Sequence, residues 1–350
     1  MSPLNQRRWQ NFKKNRRGFY SAWIFLVIFV ISLCTEFIAN DKPIMFWYEG
    51  GLYIPTFFTY TDQELGGTLE TEAWYTDPFT MKEIEDNGWA LWPPVRHSHD
   101  TINWGLDTVP APPDPEHLIG TDGAGTDLVA KLLYGFRLSV LFGLILTMAS
   151  SAIGILVGAL QGYFGGLVDL LGQRFVEVWT GLPVLFILII LASIFEPNVV
   201  WLLATLVAFS WMTLVGVVRA EFLRARNFEF VKAANALGVK SFKIMYRHVL
   251  PNATVAALTY LPFILTGSIT VLTSLDFLGF GLPIDSPSLG RLLSAAKANL
   301  QAPWIGFAVF TTLVVMLTLL IFIGEAVRDA LDPRRAIGVG ETNISEAVPL

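Results

Sequence analysis

Charge and cysteine are scarce in this sequence. Of 350 residues only 15% are Asp, Glu, Lys or Arg, and the chain holds four histidines and a single cysteine, Cys34. One cysteine excludes an internal disulfide framework and a cysteine-based metal site, and Cys34 reads as a small apolar residue inside a hydrophobic run. No Gly-Lys dipeptide occurs anywhere, so the phosphate-cradling Walker A loop is absent. No nucleophile with a base, no metal-ligand set and no cofactor loop can be assembled. An enzyme is therefore the least favoured class, and no nucleic-acid partner is expected.

What the sequence has in excess is apolar residues, 53% of the chain, with a mean hydropathy of +0.53. That composition belongs to a membrane protein. Residues 1–18 carry six basic side chains (Arg7, Arg8, Lys13, Lys14, Arg16, Arg17) and no acid, and a hydrophobic run over 19–38 follows. Its apolar stretch is longer than a signal-peptide core, ends in Thr35-Glu36 without a small-residue cleavage site, and so predicts an uncleaved first transmembrane helix. Five more uncharged stretches, 138–160, 178–195, 199–218, 253–275 and 303–324, each suit a hydrocarbon core that takes roughly 20 helical residues to cross. Six spans and a basic amino terminus predict both termini in the cytoplasm.

Charge checks that topology independently. From Asn40 to Phe136 sixteen acids face four basic residues (Lys42, Lys82, Arg96, Lys131), so the insert over 39–135 is expected on the outer, periplasmic side. Its aromatics and prolines, among them Phe46-Trp47-Tyr48, Trp74-Tyr75 and Trp92-Pro93-Pro94, predict a small folded cap, because disordered segments are poor in aromatics. His97-x-His99-Asp100 offers three candidate metal ligands and no fourth nearby, which argues against a metal site there.

On the opposite side falls the loop 219–252, the only long charged segment between two uncharged spans, with seven basic residues (Arg219, Arg224, Arg226, Lys232, Lys240, Lys243, Arg247) against Glu221 and Glu229. Within it residues 228–252 predict helix, turn, helix: a first helix over 230–237, Gly238 as a left-handed cap, Ser241 capping a second helix, and Pro251 ending it. The pair Ala233-Ala234 lets another surface approach the helix backbone. Two readings stay open on physics alone, a segment shaped to dock into a groove and a basic amphipath lying on anionic lipid.

The spacing Lys232-Ala233-Ala234, three residues, Gly238, nine residues, His248, one residue, Leu250-Pro251 resembles the E-A-A-x3-G-x9-I-x-L-P loop of ABC importer membrane subunits. Lys232 stands where that family has Glu, and His248 where it has Ile. Further stretches are similar to the oligopeptide and dipeptide permease branch: Gly120-Thr121-Asp122 through Asp127, with Thr126 in place of Arg; Leu133 to Ser139; Gly162-Tyr-Phe-Gly165-Gly166, expected as a cytoplasmic turn; Asp276 to Gly290, with Leu289 where Trp is common; and Gly324 to Arg334. The insert, together with Val218 to Arg224 and Ser274 to Pro283, is similar to peptide importers that also carry the peptide antibiotic microcin C.

The resemblance implies an all-α integral membrane protein with the type I ABC importer permease fold, its transmembrane domain over 136–330 and a cytoplasmic tail over 331–350. It implies a permease subunit of an ATP-driven peptide importer in a bacterial inner membrane. Residues 228–252, through Lys232, Ala233, Ala234, Gly238, His248, Leu250 and Pro251, would couple to separate ATPase subunits. Implied partners are a homologous second permease forming a heterodimer, two ATP-binding subunits or one fused double ATPase, a periplasmic peptide-binding protein and the lipid bilayer. No cofactor is implied in this chain; ATP and Mg would sit on the ATPases.

Asp276 and Asp285, placed outside by the topology, are candidate contacts for cargo or binding protein. The hydroxyls of Ser150, Ser151, Thr205, Ser210, Thr266, Ser268 and Thr270 are candidate lining of a permissive pathway. Small residues at Gly154 and Gly158 predict close helix packing, and Pro183 and Pro262 fall within spans, where they permit kinks that either serve gating or are simply tolerated. Asn252-Ala-Thr254 and Asn343-Ile-Ser345 match glycosylation sequons on the wrong side for use. Two rival classes remain. A secondary transporter would favour ionisable residues at mid-membrane depth, which the interiors of spans two to six lack; a membrane-anchored sensory protein leaves the coupling segment unexplained.

Overall fold

The computed structural model describes residues 3–196 and 198–331. The expected carboxy-terminal stretch from Asp332, with Pro333, Arg334 and the Asn343 sequon, lies outside the described residues. The protein is mostly helical. α1 (Pro3–Lys14) ends where the Asn15 side chain accepts the Gly18 N–H at 3.2 Å and caps α2 (Arg16–Leu33). The run expected to be helical to Ile38 leaves the α-helix at Leu33, and Thr35–Phe37 closes as a 3-10 turn.

The insert holds β1 (Met45–Tyr48), β2 (Gly51–Tyr53), α3 (Pro78–Asn87) and β3 (Gly88–Leu91). Then follow α4 (Leu128–Phe164), α5 (Gly166–Thr180), α6 (Val184–Ile194), α7 (Val199–Ser210), α8 (Met212–Ala225), α9 (Glu229–Ala236), α10 (Ser241–Ile244), α11 (Leu250–Leu258), α12 (Leu261–Leu278), α13 (Leu289–Ala298) and α14 (Pro303–Leu331).

Among the described residues five helical stretches are long and apolar enough to cross a membrane, and a sixth is reached if α5 and α6, bent by 67° at their junction, count as one span. Several bounds differ from expectation. α4 starts at Leu128, ahead of the hydrophobic run, because Asp127 caps it by accepting the Ala130 N–H at 2.9 Å. The turn expected over Gly162–Gly166 narrows to Gly165 and Gly166, both at positive φ. The expected spans 178–195 and 253–275 are each broken. Pro183 sits at the α6 N-cap and Pro262 early in α12. Both prolines thus occupy helix starts, where a missing N–H breaks no ladder bond, rather than kinking one continuous span.

The chain divides into two units: one drawn from residues up to Leu26, Leu141–Leu272 and Val315 onward, the other from Val27–Val140 and Thr273–Val314. In the second, the expected folded cap is a three-stranded antiparallel sheet in the order β2-β1-β3. Glu49 and Gly50, both at positive φ, form the two-residue turn between β1 and β2, as the twist of a tight hairpin demands. Phe46, Tyr48, Leu65, Ala73, Tyr75 and Ile84 fill one core against the sheet and α3. Strands alternate their faces, so Phe46 and Tyr48 point inward while Trp47 is exposed.

In the first unit α4 meets α8 closely along Gly154, Gly158 and Gly162, the last two facing α8 backbone and Gly154 facing the backbone of Trp211, the residue that caps α8. Small residues four apart permit that approach. On the same flank of α8, the Arg219 guanidinium pairs with the Asp169 carboxylate of α5 through two contacts, one of them 2.7 Å between Nη2 and Oδ2. Fork geometry of this kind fixes orientation as well as charge.

Candidate functional site

Residues 228–257 pack one face on α8 and present the other. Val231, Ile244, Met245, Val249, Ala253 and Ala257 join Leu214, Val218, Phe222 and Ala225 of α8 in one core. The outer face leaves Leu237, Phe242 and Tyr246 exposed at 82, 63 and 70%, beside exposed Lys232, Lys240, Lys243, Arg247 and His248. A soluble surface seldom leaves such large apolar side chains clustered without a partner.

Gly238 ends α9 as expected, at φ +74°. The Val239 N–H reaches back to Ala234 O at 3.1 Å and the Gly238 N–H to Asn235 O at 3.0 Å, the paired bonds of a glycine-capped helix end. Ser241, expected as a cap, is instead the first residue of α10; Lys240 holds the cap position and no side chain bonds there. Pro251 does not end the helix. Met245–Val249 forms a π turn, and Pro251 falls at the start of α11, which continues to Leu258. The wider turn brings the proline to a helix start, where its absent N–H is tolerated.

Of the other coupling candidates, Lys232, Ala233, His248 and Pro251 are exposed, and Ala234 and Leu250 are half-buried. The structure brings Lys232, Ala233, Ala234 and Gly238 together on α9 and its cap, with His248, Leu250 and Pro251 following on the π turn and α11.

Asp276, expected at the surface, is buried. Its carboxylate accepts the Leu282 N–H at 2.7 Å and the Ser288 hydroxyl at 2.5 Å, because the loop after α12 folds back over it. In this structure it ties the returning loop to α12. Replacing it with alanine strands a buried N–H and a buried hydroxyl, at a cost of about 1–3 kcal/mol. Thermal unfolding of the detergent-solubilised Asp276→Ala chain checks this, with Asp285→Ala as the silent comparison. Asp285 is exposed and lines a cleft of about 360 Å³ with Asp100, Asp122, Lys131 and Arg291.

The segment leading into α4 is closed by Asp122. Burial pushes this carboxyl up, but Lys131 Nζ at 2.5 Å, the Thr126 hydroxyl at 2.8 Å and the Ala124 N–H at 2.9 Å outweigh it and hold it below its ordinary value. Thr126, standing where the resembling family has arginine, thus donates a neutral hydrogen bond, and Lys131 supplies the cation.

His97, His99 and Asp100, whose spacing argued against a shared metal site, have different partners in the structure. His99 Nδ1 lies 3.4 Å from Asp100 Oδ1, whereas His97 meets Glu116 and His117. Burial, and then the neighbouring His117, push the His97 ring below its ordinary value.

The candidate pathway hydroxyls are mostly turned inward. Ser150, Ser151, Thr205 and Ser268 are buried, and Thr205, Thr266 and Thr270 donate to carbonyls one turn back, on Trp201, Pro262 and Thr266. Those three hydroxyls are satisfied by their own helices.

Residues 150–337 match the family described as binding-protein-dependent transport system inner membrane component. The chain is similar to the inner membrane ABC transporter permease protein YejE of Escherichia coli, 57% identical over 96% of this chain and 99% of that protein. It is similar to the peptidoglycan transport system permease protein YejE of Agrobacterium fabrum, 52% identical over 95% of this chain and 94% of that one. The oligopeptide transport system permease protein OppC of Haemophilus influenzae is 33% identical over 68% of this chain and 76% of its own length.

Proposed function

The chain belongs to the family of binding-protein-dependent transport system inner membrane components, and from that membership we propose how it works as one half of a peptide importer. It is a multi-pass inner membrane permease of the peptide branch of ABC transporters. Its cargo is a peptide. The peptidoglycan and oligopeptide names of its relatives and the microcin C expectation agree on one chemistry, a peptide backbone bearing varied appendages.

The observation that carries the mechanism is the two-faced segment 228–257. Its inner face is welded to α8 through Val231, Ile244 and Val249, and its outer face offers Leu237, Phe242 and Tyr246 around the Gly238 turn. A separate ATPase subunit is the partner that would cover this face. ATP binding would close the ATPases, draw the segment with them, and move the attached α8 between inward-open and outward-open arrangements. Ala233, Ala234 and Gly238 keep the docking surface low and turned, while Lys232 puts a positive charge where the resembling motif has Glu and His248 a polar ring where it has Ile. The amino terminus and this segment then lie in the cytoplasm, the insert outside. A homologous permease completes the pathway, a binding protein delivers peptide, and ATP and Mg are held by the ATPases.

The test is uptake into vesicles carrying the chain with its second permease, ATPases and binding protein. Peptide accumulation should require internal or external ATP according to ATPase orientation and should persist when ion gradients are collapsed by ionophores. Accumulation driven by a proton or sodium gradient without ATP would overturn the reading.

A further inference from the structure

The insert carries a histidine pair that neither peptide transport nor ATPase docking employs. His97 and His117 stack with ring centroids 4.5 Å apart, and Glu116 sets a carboxylate oxygen 3.3 Å from His97 Nε2. The three residues each bring one ligand-capable atom within 4.8 Å of the others. His117 is fully buried and its Nδ1 lies 2.9 Å from Asp127 Oδ2, itself buried. A carboxylate there accepts a hydrogen bond from Nδ1–H, and in the neutral ring that tautomer leaves the lone pair on Nε2. Asn103 fits that tautomer: its Oδ1 accepts the Gly105 N–H at 2.9 Å, so its amide nitrogen, 3.1 Å from His117 Nε2, is the donor to that lone pair.

We propose that His97, His117 and Glu116 form a binding site for a zinc-class divalent cation in the insert. Two imidazole nitrogens and one carboxylate oxygen are the ligand set this ion takes where a fourth position stays open to water or to a group brought from outside. Ligand atoms at about 2.0–2.2 Å from a tetrahedral ion stand about 3.3–3.6 Å from one another, a range whose lower end His97 Nε2 and Glu116 Oε1 already meet at 3.3 Å. Glu116, whose side chain is 63% exposed, is free to adjust to an ion, while the two imidazoles would have to draw together within the 4.8 Å that already encloses the ligand atoms. Asp127 supplies the outer carboxylate that orients a ligating histidine and raises its basicity. The ion would displace the Asn103 amide from His117 Nε2. Two parts of the insert, around His97 and around Glu116 and His117, would then be fastened to Asp127, the cap residue of α4. His97 Nδ1 is buried without a hydrogen-bond partner, so among the ring's nitrogens only Nε2, facing Glu116, is engaged.

The experiment uses the full-length chain purified in detergent, stripped with a chelator and dialysed. Zinc is titrated against a chromophoric competitor, and cobalt is added separately as a spectroscopic probe. The expected result is one zinc per chain and cobalt absorption of the intense visible kind given by four- or five-coordinate sites. Glu116→Gln, at an exposed position that leaves folding intact, should weaken zinc binding by about 10- to 100-fold, and His97→Ala should remove it. A stripped chain that takes up no more zinc than His97→Ala, or a Glu116→Gln chain that binds like the parent, overturns the proposal.

Discussion

Replacing Gly238 with valine should leave the importer assembled while lowering peptide-stimulated ATP hydrolysis and uptake by at least about tenfold. The reason is conformational, since nothing lies within 4 Å of where a Cβ would sit. At φ +74° a left-handed backbone costs an L-residue on the order of 1–2 kcal/mol, more for a β-branched one. The turn relieves that strain by releasing the bonds from Val239 to Ala234 and from Gly238 to Asn235, which set where Leu237 and Phe242 face. A docked surface that shifts by even an ångström loses complementarity out of proportion to the folding energy involved. Gly238→Asn is the decisive comparison, because asparagine tolerates the left-handed region; it should keep most of the coupled rate. Lys232→Glu, which restores the charge found in the resembling motif at an exposed position, should leave coupling close to the parent. Equal behaviour of the valine and asparagine variants in reconstituted vesicles would sink the docking role of this turn.

The second large effect is expected at Gly158. A Cβ there would lie 2.8 Å from Val215 O and 2.9 Å from Val218 Cβ, and one at neighbouring Gly162 would lie 2.6 Å from Arg219 O. These are backbone and packed side chains that cannot swing aside. Gly158→Leu must therefore push α4 and α8 apart, and overpacking of this kind costs about 1–3 kcal/mol where some relaxation exists. Less relaxation is available along a row of three glycines, so most of the chain should fail to fold or assemble. Val218 and Phe222 on α8 also support Val231, Ile244 and Val249, so whatever chain survives should couple poorly. Gly216 on α8 is the control: its Cβ would meet nothing, and Gly216→Ala should be neutral or gain up to about 1 kcal/mol of helix stability. Size-exclusion profiles and thermal melts of the three proteins in detergent decide the matter.

The sequence shows most plainly what local chemistry determines. Gly238 is readable as a cap because only one residue type suits that backbone conformation, and the Gly154 and Gly158 pair is readable because close helix approach demands small residues. The number of apolar stretches is equally visible, since the bilayer sets their length. Legibility fails where a residue's fate depends on chain that returns from elsewhere. Asp276 looks like a surface carboxylate until residues 282–288 fold back to bond it. His97 stands two residues from His99 in the sequence, but it meets Glu116 and His117 through the course of the intervening loop. Thr126 looks like a loss of charge until Lys131, one turn into α4, is seen to supply it. Helix ends mislead for a related reason: Pro251 reads as a stop because nothing in its neighbours announces the wider turn before it. The three-stranded sheet of the insert was visible only as an aromatic excess, which reports that a core exists without saying which strands pair.

The wide turn over Met245–Val249 also bears on how this stretch can vary. It accommodates one residue more than a regular helix would, so it sets the phase between the part that carries Phe242 and the part that carries Ala253 and Ala257. Each residue of an α-helix advances the face by about 100°. Removing any single residue between Ile244 and Leu250 would restore regular winding and rotate the preceding apolar side chains by about that angle, turning Ile244 toward solvent and Phe242 toward the protein. Side chains on the outer face can be exchanged with little cost to the fold, but the count of residues cannot. Across related chains the outward positions of this stretch should differ in composition, its buried Met245 and Val249 much less, and its length hardly at all.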